Sequence, residues 1–149
     1  MLKLNVDPKN KNSVVLKKTI MQLQLKAEYD TQKRKEILES WLRAKLRSRL
    51  IPFIEKWENQ LGVKAKECKI KKMKTKWGSC NQEVMRVWFN LELSKVDDYA
   101  LDYVVMHELA HLKIRNHGKQ FIQILNKNMS DWEQRKAQLN ETILEFNNA

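Results

Sequence analysis

All three histidines of this 149-residue chain fall between positions 107 and 117. They lie in the segment His107-Glu108-Leu109-Ala110-His111, which continues through Leu-Lys-Ile-Arg-Asn to His117. On an α-helix, residues four apart are separated by about 40° in azimuth and one turn along the axis. His107 and His111 therefore point the same way and can offer two imidazole nitrogens to one tetrahedral ion. Glu108 lies about 100° round from His107, beside such an ion rather than on it. A carboxylate there can take a proton from water that the metal has acidified.

Catalytic zinc takes three protein ligands and keeps one position open, and His117 is the natural third. On a continued helix it would face about 240° away from His111, so the helix must end between them. Asn116 and Gly118 both tolerate left-handed backbone, and either could help make the reversal. Taken singly, the histidines could be core or surface residues; together, at this spacing, they read as a zinc site. The same three could hold a structural zinc if the open position were filled. Cys68 and Cys80, the only cysteines, lack the C-x-x-C spacing of structural sites. The expected cofactor is thus Zn2+, with His107, His111 and His117 as metal ligands and Glu108 as the catalytic base.

The elements that must position these groups can be read from periodicity. Residues 1–31 form an N-terminal arm in which VVLKKTIMQLQLKAEY shows no clean period. From about Gln32 to Gln60, Ile37, Trp41, Leu46, Leu50, Ile54 and Trp57 recur at helical spacing, with Leu61 just beyond. Pro52 inside that run predicts a kink or a fresh start near Ile51, and Gly62 a C-terminal stop. Residues 66–74 alternate as a strand with one wet face, and TKWGSCNQE reads as a turn-rich connection. VMRVWFNLEL then gives a second strand that pairs with the first, Met85, Val87, Phe89 and Leu91 sharing a face. Ser94 with Asp97 resembles a capping box that opens a helix from about Lys95 to Lys113. A short helix follows from Lys119 to Asn126. Ser130 and Glu133 open a last one with Trp132, Leu139, Ile143 and Phe146 facing inward. Two strands among several helices make an α+β fold.

The net charge of +11 is unevenly spread: residues 1–76 hold 21 Lys and Arg against 8 Asp and Glu, residues 77–149 hold 8 against 10. The basic residues of 1–76 allow nucleic acid as a partner, although a solvated basic face reads the same way. No apolar run approaches the roughly 20 residues needed to cross a bilayer. The start, MLKLNVDPKNKN, lacks the apolar stretch of a signal peptide. With two cysteines and no export signal, a cytoplasmic protein with free thiols is expected.

KMKTKWGSC (72–80), the NLEL after it, and DYVVMHELAHLKIRNHGKQF (102–121) with NMSDWEQRKAQLN (128–140) resemble the YgjP-like predicted metallopeptidases. The resemblance covers roughly residues 33–141. It implies a zincin-like small domain over 32–149: a twisted sheet of few strands, the metal-binding helix beneath it, further helices, and an edge strand along the cleft. Many members carry a longer β-rich N-terminal region than the arm found here. The metal-site spacing equals that of metzincins, but Ile114 stands where those have Gly and no Met-turn is evident, which favours a gluzincin-like or minimal-zincin branch. Peptide or protein is the implied substrate.

Trp77 and Gly78 match the family element and are candidate substrate-binding residues, with Cys80 read as a buried thiol. Asn90 is a further candidate, as a donor to substrate or to the developing oxyanion. Tyr103, one turn before His107, could serve the same end but reads first as core packing. The expected activity is hydrolysis of an amide bond by zinc-activated water. The alternatives are a metal-dependent hydrolase of a non-peptide or nucleic-acid-associated substrate, and a basic nucleic-acid-binding protein with structural zinc.

Overall fold

The computed structural model describes residues 31–142. The rest of the expected N-terminal arm, and Ile143 and Phe146 of the last helix, lie outside the described residues. The chain divides into two compact units between Lys45 and Leu46. Residues 31–45 begin the helix α1 (Thr31–Leu61), and in this stretch the Lys45 ammonium sits 5.0 Å from the centre of the Trp41 ring. The second unit holds β1 (Glu67–Lys71), β2 (Gly78–Asn81), β3 (Arg86–Asn90), a 3-10 turn (Leu91–Lys95), α2 (Asp98–Ala110), α3 (Lys119–Asn128) and α4 (Trp132–Glu141). No described helix is long and apolar enough to cross a membrane.

Helix α1 runs without interruption through Pro52, so the fresh start expected near Ile51 does not occur. Proline removes one intrahelical donor, but Leu46 and Leu50 before it and Trp57 and Leu61 after it are all buried. Packing on both sides of the proline carries the helix across the missing bond. It stops where expected. Gly62 takes φ +68°, and the Val63 amide reaches back to the Glu58 carbonyl at 3.0 Å, the six-to-one bond of a Schellman closure.

The sheet has three strands in the order β1-β3-β2, with β3 parallel to β1 and antiparallel to β2. The expected pairing of the first and last strands is therefore present, and the third strand, β2, comes from the stretch read as a turn. Gly-Ser-Cys-Asn has no apolar alternation and is rich in turn-forming residues. It becomes a strand because it pairs with β3, Ser79 facing Trp88 and Cys80 facing Val87. The turn falls later, at residues 82–85, where Asn81 Oδ1 accepts bonds from the amides of Glu83 and Val84. Val87 and Phe89 are fully buried, and Leu91, expected as their strand neighbour, is buried from the 3-10 turn instead.

Helix α2 is buried almost all round, with Leu101, Val105, Met106 and Leu109 showing no exposure, as a helix packed on several sides must be. It contacts β2, α3 and α4. Its N-cap is Asp97, whose Oδ1 accepts from the Ala100 amide at 3.1 Å. Ser94, three residues earlier, instead donates to the Leu91 carbonyl within the 3-10 turn. At α4 the expected Ser130 cap is also displaced. Asp131 occupies the N-cap position without a capping bond, its carboxylate being taken by Arg135 Nε and the Tyr99 hydroxyl, each donating at 2.9 Å.

Buried Asp102 ties the helices together. It accepts from Trp57 Nε1 at 2.6 Å, Lys56 Nζ at 2.9 Å and Arg135 Nη1 at 3.3 Å, so α1, α2 and α4 meet on one carboxylate whose charge is paired. At the α1 stop, a Cβ on Gly62 would meet no atom within 4 Å, which leaves only the backbone cost of a left-handed residue. Gly62→Ala is expected to lower stability by about 1–2 kcal/mol in urea unfolding, and Gly62→Asn by less. Equal stability of the alanine variant and the parent would show that the positive φ is not required.

Candidate metal centre

His107 and His111 sit on the last turn of α2, and the helix ends at Ala110, immediately before His111. From there the chain tightens. The amides of Leu112 and Lys113 bond to the carbonyls three residues back, Leu109 and Ala110, each at 3.0 Å. Asn116 Oδ1 accepts from the Gly118 amide at 3.0 Å, and Gly118, at φ −74°, becomes the N-cap of α3. The reversal expected between His111 and His117 is present but is not left-handed: positive φ among the described residues occurs only at Gly62 and Met85. Asn116 contributes through its side chain, which bridges the corner.

This turn brings His117 back to the helix. Its Nε2 lies 3.0 Å from His111 Nε2 and 3.3 Å from His107 Nε2, and ligand atoms of the three lie within 4.8 Å of one another. A tetrahedral ion with bonds of about 2.0–2.1 Å to nitrogen separates its ligand atoms by roughly 3.3 Å, close to the two separations from His117, so the three residues could hold a metal ion. A backbone carbonyl also sets one of the tautomers. His111 Nδ1 lies 3.0 Å from the Ile114 carbonyl, which can only accept. That nitrogen therefore carries the proton, and Nε2 keeps its lone pair for a metal. Burial pushes the His107 pKa down to about 3, with His111 and His117 adding to the effect, and His111 is lowered too, burial again first. Both shifts favour the neutral ring, the form that binds a metal.

Phe121 forms the floor of the cluster. It is fully buried, stacks on His111 at 4.3 Å between ring centres, and meets His107 and His117 edge-on at 5.0 and 5.1 Å. The sequence motifs did not single it out; its signal is the helical spacing of four to Leu125. Tyr103 is buried and stacked on Trp132, its hydroxyl 3.2 Å from His107 Nδ1. Burial raises its phenol to about 12.

Glu108 is 7% exposed, and burial lifts its pKa to about 8 against the opposing charge of Lys76. Strand β2 lies directly on it. A Cβ at Gly78 would stand 2.8 Å from Glu108 Cγ and 3.0 Å from Cδ and Oε2, so only glycine allows this approach. The histidines and Glu108 open into a cavity of about 470 Å³ that Trp77, Gly78, Ser79 and Cys80 also line. Burial, then Glu108, pushes the Cys80 thiol up to about 11, which removes it as a nucleophile. Asn90 is elsewhere. It has no exposure, its Nδ2 donates to the carbonyls of Met73 and Lys76 at 2.9 and 2.7 Å, and its Oδ1 accepts from the Glu92 amide. Its amide is spent holding the loop before β2 and has nothing left for a substrate.

A family model for the YgjP-like, metallopeptidase domain matches residues 1–142. The chain belongs to that family, and the match extends across the N-terminal residues that the sequence motifs left out. A search of curated proteins gives no match. Among solved structures, the crystal structure of the metallopeptidase zymogen of Methanocaldococcus jannaschii jannalysin is similar. Its TM-score is 0.54 at 23% identity, over 60% of this chain and 92% of that one. At that identity the likeness concerns the fold, which is the α+β, zincin-like one expected from the sequence.

The contact between β2 and Glu108 generates a test. In Gly78→Ala the added methyl must displace the flexible Glu108 side chain, while the histidines keep their places. Peptide hydrolysis is expected to fall roughly 100-fold, the scale of a misplaced catalytic group, with melting temperature and metal affinity close to the parent. An unchanged rate would show that the carboxylate is not needed where the structure puts it.

Proposed function

We propose that this metallopeptidase is zinc-dependent, with His107, His111 and His117 holding the ion and Glu108 acting as general base. The observation that carries the reading is the meeting of three imidazoles, His117 Nε2 lying 3.0 and 3.3 Å from the Nε2 atoms of His111 and His107, beside a buried carboxylate. Zinc, when bound, supplies Lewis acidity that lowers the pKa of water toward 7 and polarises the scissile carbonyl. Glu108 takes the proton from the attacking water and delivers it to the leaving amine. Burial raises its proton affinity, which suits a carboxylate that must accept a proton and then pass it on. Phe121 and Tyr103 keep the imidazoles in place and exclude water from behind them.

Among the described residues strand β2 is an edge of the sheet, and it borders the cavity through Gly78, Ser79 and Cys80. An extended peptide lying along it would gain main-chain hydrogen bonds, with Trp77 offering an apolar surface beside them.

Replacing Glu108 by Gln keeps the shape and removes the base. Hydrolysis is expected to fall roughly 100- to 10,000-fold while zinc, measured by elemental analysis, stays bound as in the parent; loss of the metal as well would make Glu108 structural. His117→Ala should instead reduce zinc affinity steeply, as read by competition with a chromophoric chelator, with helix content unchanged by circular dichroism. Retention of zinc at parental affinity in that variant would remove His117 from the ligand set.

A further inference from the structure

Apart from Glu108 and the three histidines, every charged side chain lining the cavity is basic. Lys76 comes from the loop before β2, Arg115 from the turn between α2 and α3, and Lys136 from α4. This is not a reflection of local composition, because residues 77–149, which include Arg115 and Lys136, hold 10 acidic residues against 8 basic ones. Four acids of that stretch are engaged elsewhere: Asp102 with Lys56 and Arg135, Asp131 with Arg135, Asp98 with Arg49, Glu92 with Lys95. The ammonium groups of Lys76 and Lys136 make no ion pair or hydrogen bond among the described residues. Arg115 has an exposed partner, Glu83, at 3.5 Å. The two lysines also lie within electrostatic reach of the chemistry, Lys136 acting on His107 and Lys76 on Glu108.

Uncompensated cations at a concave site with low-dielectric walls focus their potential into it. They reward a carboxylate with a charge-assisted bond and disfavour a cationic chain. We propose that the cleft selects peptides that carry a carboxylate near the scissile bond, with Lys76 and Lys136 as the specificity-determining residues. The carboxylate has two chemical sources, an acidic side chain or the substrate's own C-terminus. This selectivity rests on the peptidase reading of the site, and its test separates the two.

Matched peptides carry Glu, Gln or Lys on both sides of one bond with amidated ends, and a fourth carries Gln with a free C-terminal carboxylate. Binding is measured by fluorescence anisotropy on zinc-loaded Glu108→Gln protein, and cleavage by the unsubstituted protein. The Glu peptide is expected to be favoured over the Gln peptide roughly 10-fold, the lower end of what electrostatic focusing delivers, with the Lys peptide weakest and the preference fading with salt. Lys76→Glu with Lys136→Glu should reverse the order, and the single Lys→Met variants, milder for folding, should each shrink it. Preference for the free-terminus peptide alone would keep the carboxylate class and assign it to the substrate's end. Equal binding and cleavage of all four peptides would overturn the proposal while leaving the peptidase intact, and so would tighter binding of a single-stranded oligonucleotide in the same cleft. Charge-selective binding without any cleavage would do the opposite, sinking the peptidase reading and sparing the selectivity.

Discussion

Two imidazoles on successive turns of a helix share a face at no cost, but a third can join them only if the chain leaves helical geometry at once. In this protein the exit happens at Ala110, within the HExxH segment itself. Tightened three-residue bonds at Leu112 and Lys113 and a side-chain bridge from Asn116 to Gly118 then turn the chain. The corner matters more than any single ligand, because His117 is exposed and has little packing of its own to hold it. Phe121, one turn into α3, compensates by touching all three rings from the buried side.

A site of this kind needs a helix that does not move. Helix α2 is held by burial on nearly every face, and Asp102, on the same helix as the histidines, gathers donors from α1 and α4. Such a carboxylate is costly to desolvate and becomes favourable only when its partners are in place, so it couples the positions of three helices to one another. From α4, Trp132 stacks on Tyr103, whose hydroxyl approaches His107 Nδ1. The support of the histidine rings therefore passes through the core rather than through the loops around the cavity.

The cavity itself is made by contrast between its walls. One is strand backbone, brought against Glu108 because Gly78 has no side chain. The rim carries Lys76, Lys136 and Arg115, of which only Arg115 has an acidic partner among the described residues, although the basic excess of the sequence lies mostly in the first 76 residues. Folding, not composition, concentrates positive charge where substrate would lie.

Much of this was legible in the residues alone. The spacing His107–His111–His117, Glu108 beside them, the stop at Gly62 and the α+β alternation all follow from local rules of helix geometry and turn chemistry, which act over a few residues. What failed was whatever depended on distant neighbours. Gly78–Asn81 looks like a turn until β3 supplies its ladder, Pro52 looks like a break until burial on both sides carries the helix past it, and Ser94 and Ser130 look like caps until Asp97 and Asp131 take those positions. Asn90, polar and placed after a strand, looks available until the loop carbonyls of Met73 and Lys76 claim its amide. The sequence by itself determined which atoms could bind a metal and carry a proton, because that information is chemical and local. Only the tertiary structure decided which backbone lies on Glu108, which ring supports the histidines and which charges face the cavity, because those contacts join residues far apart in the chain.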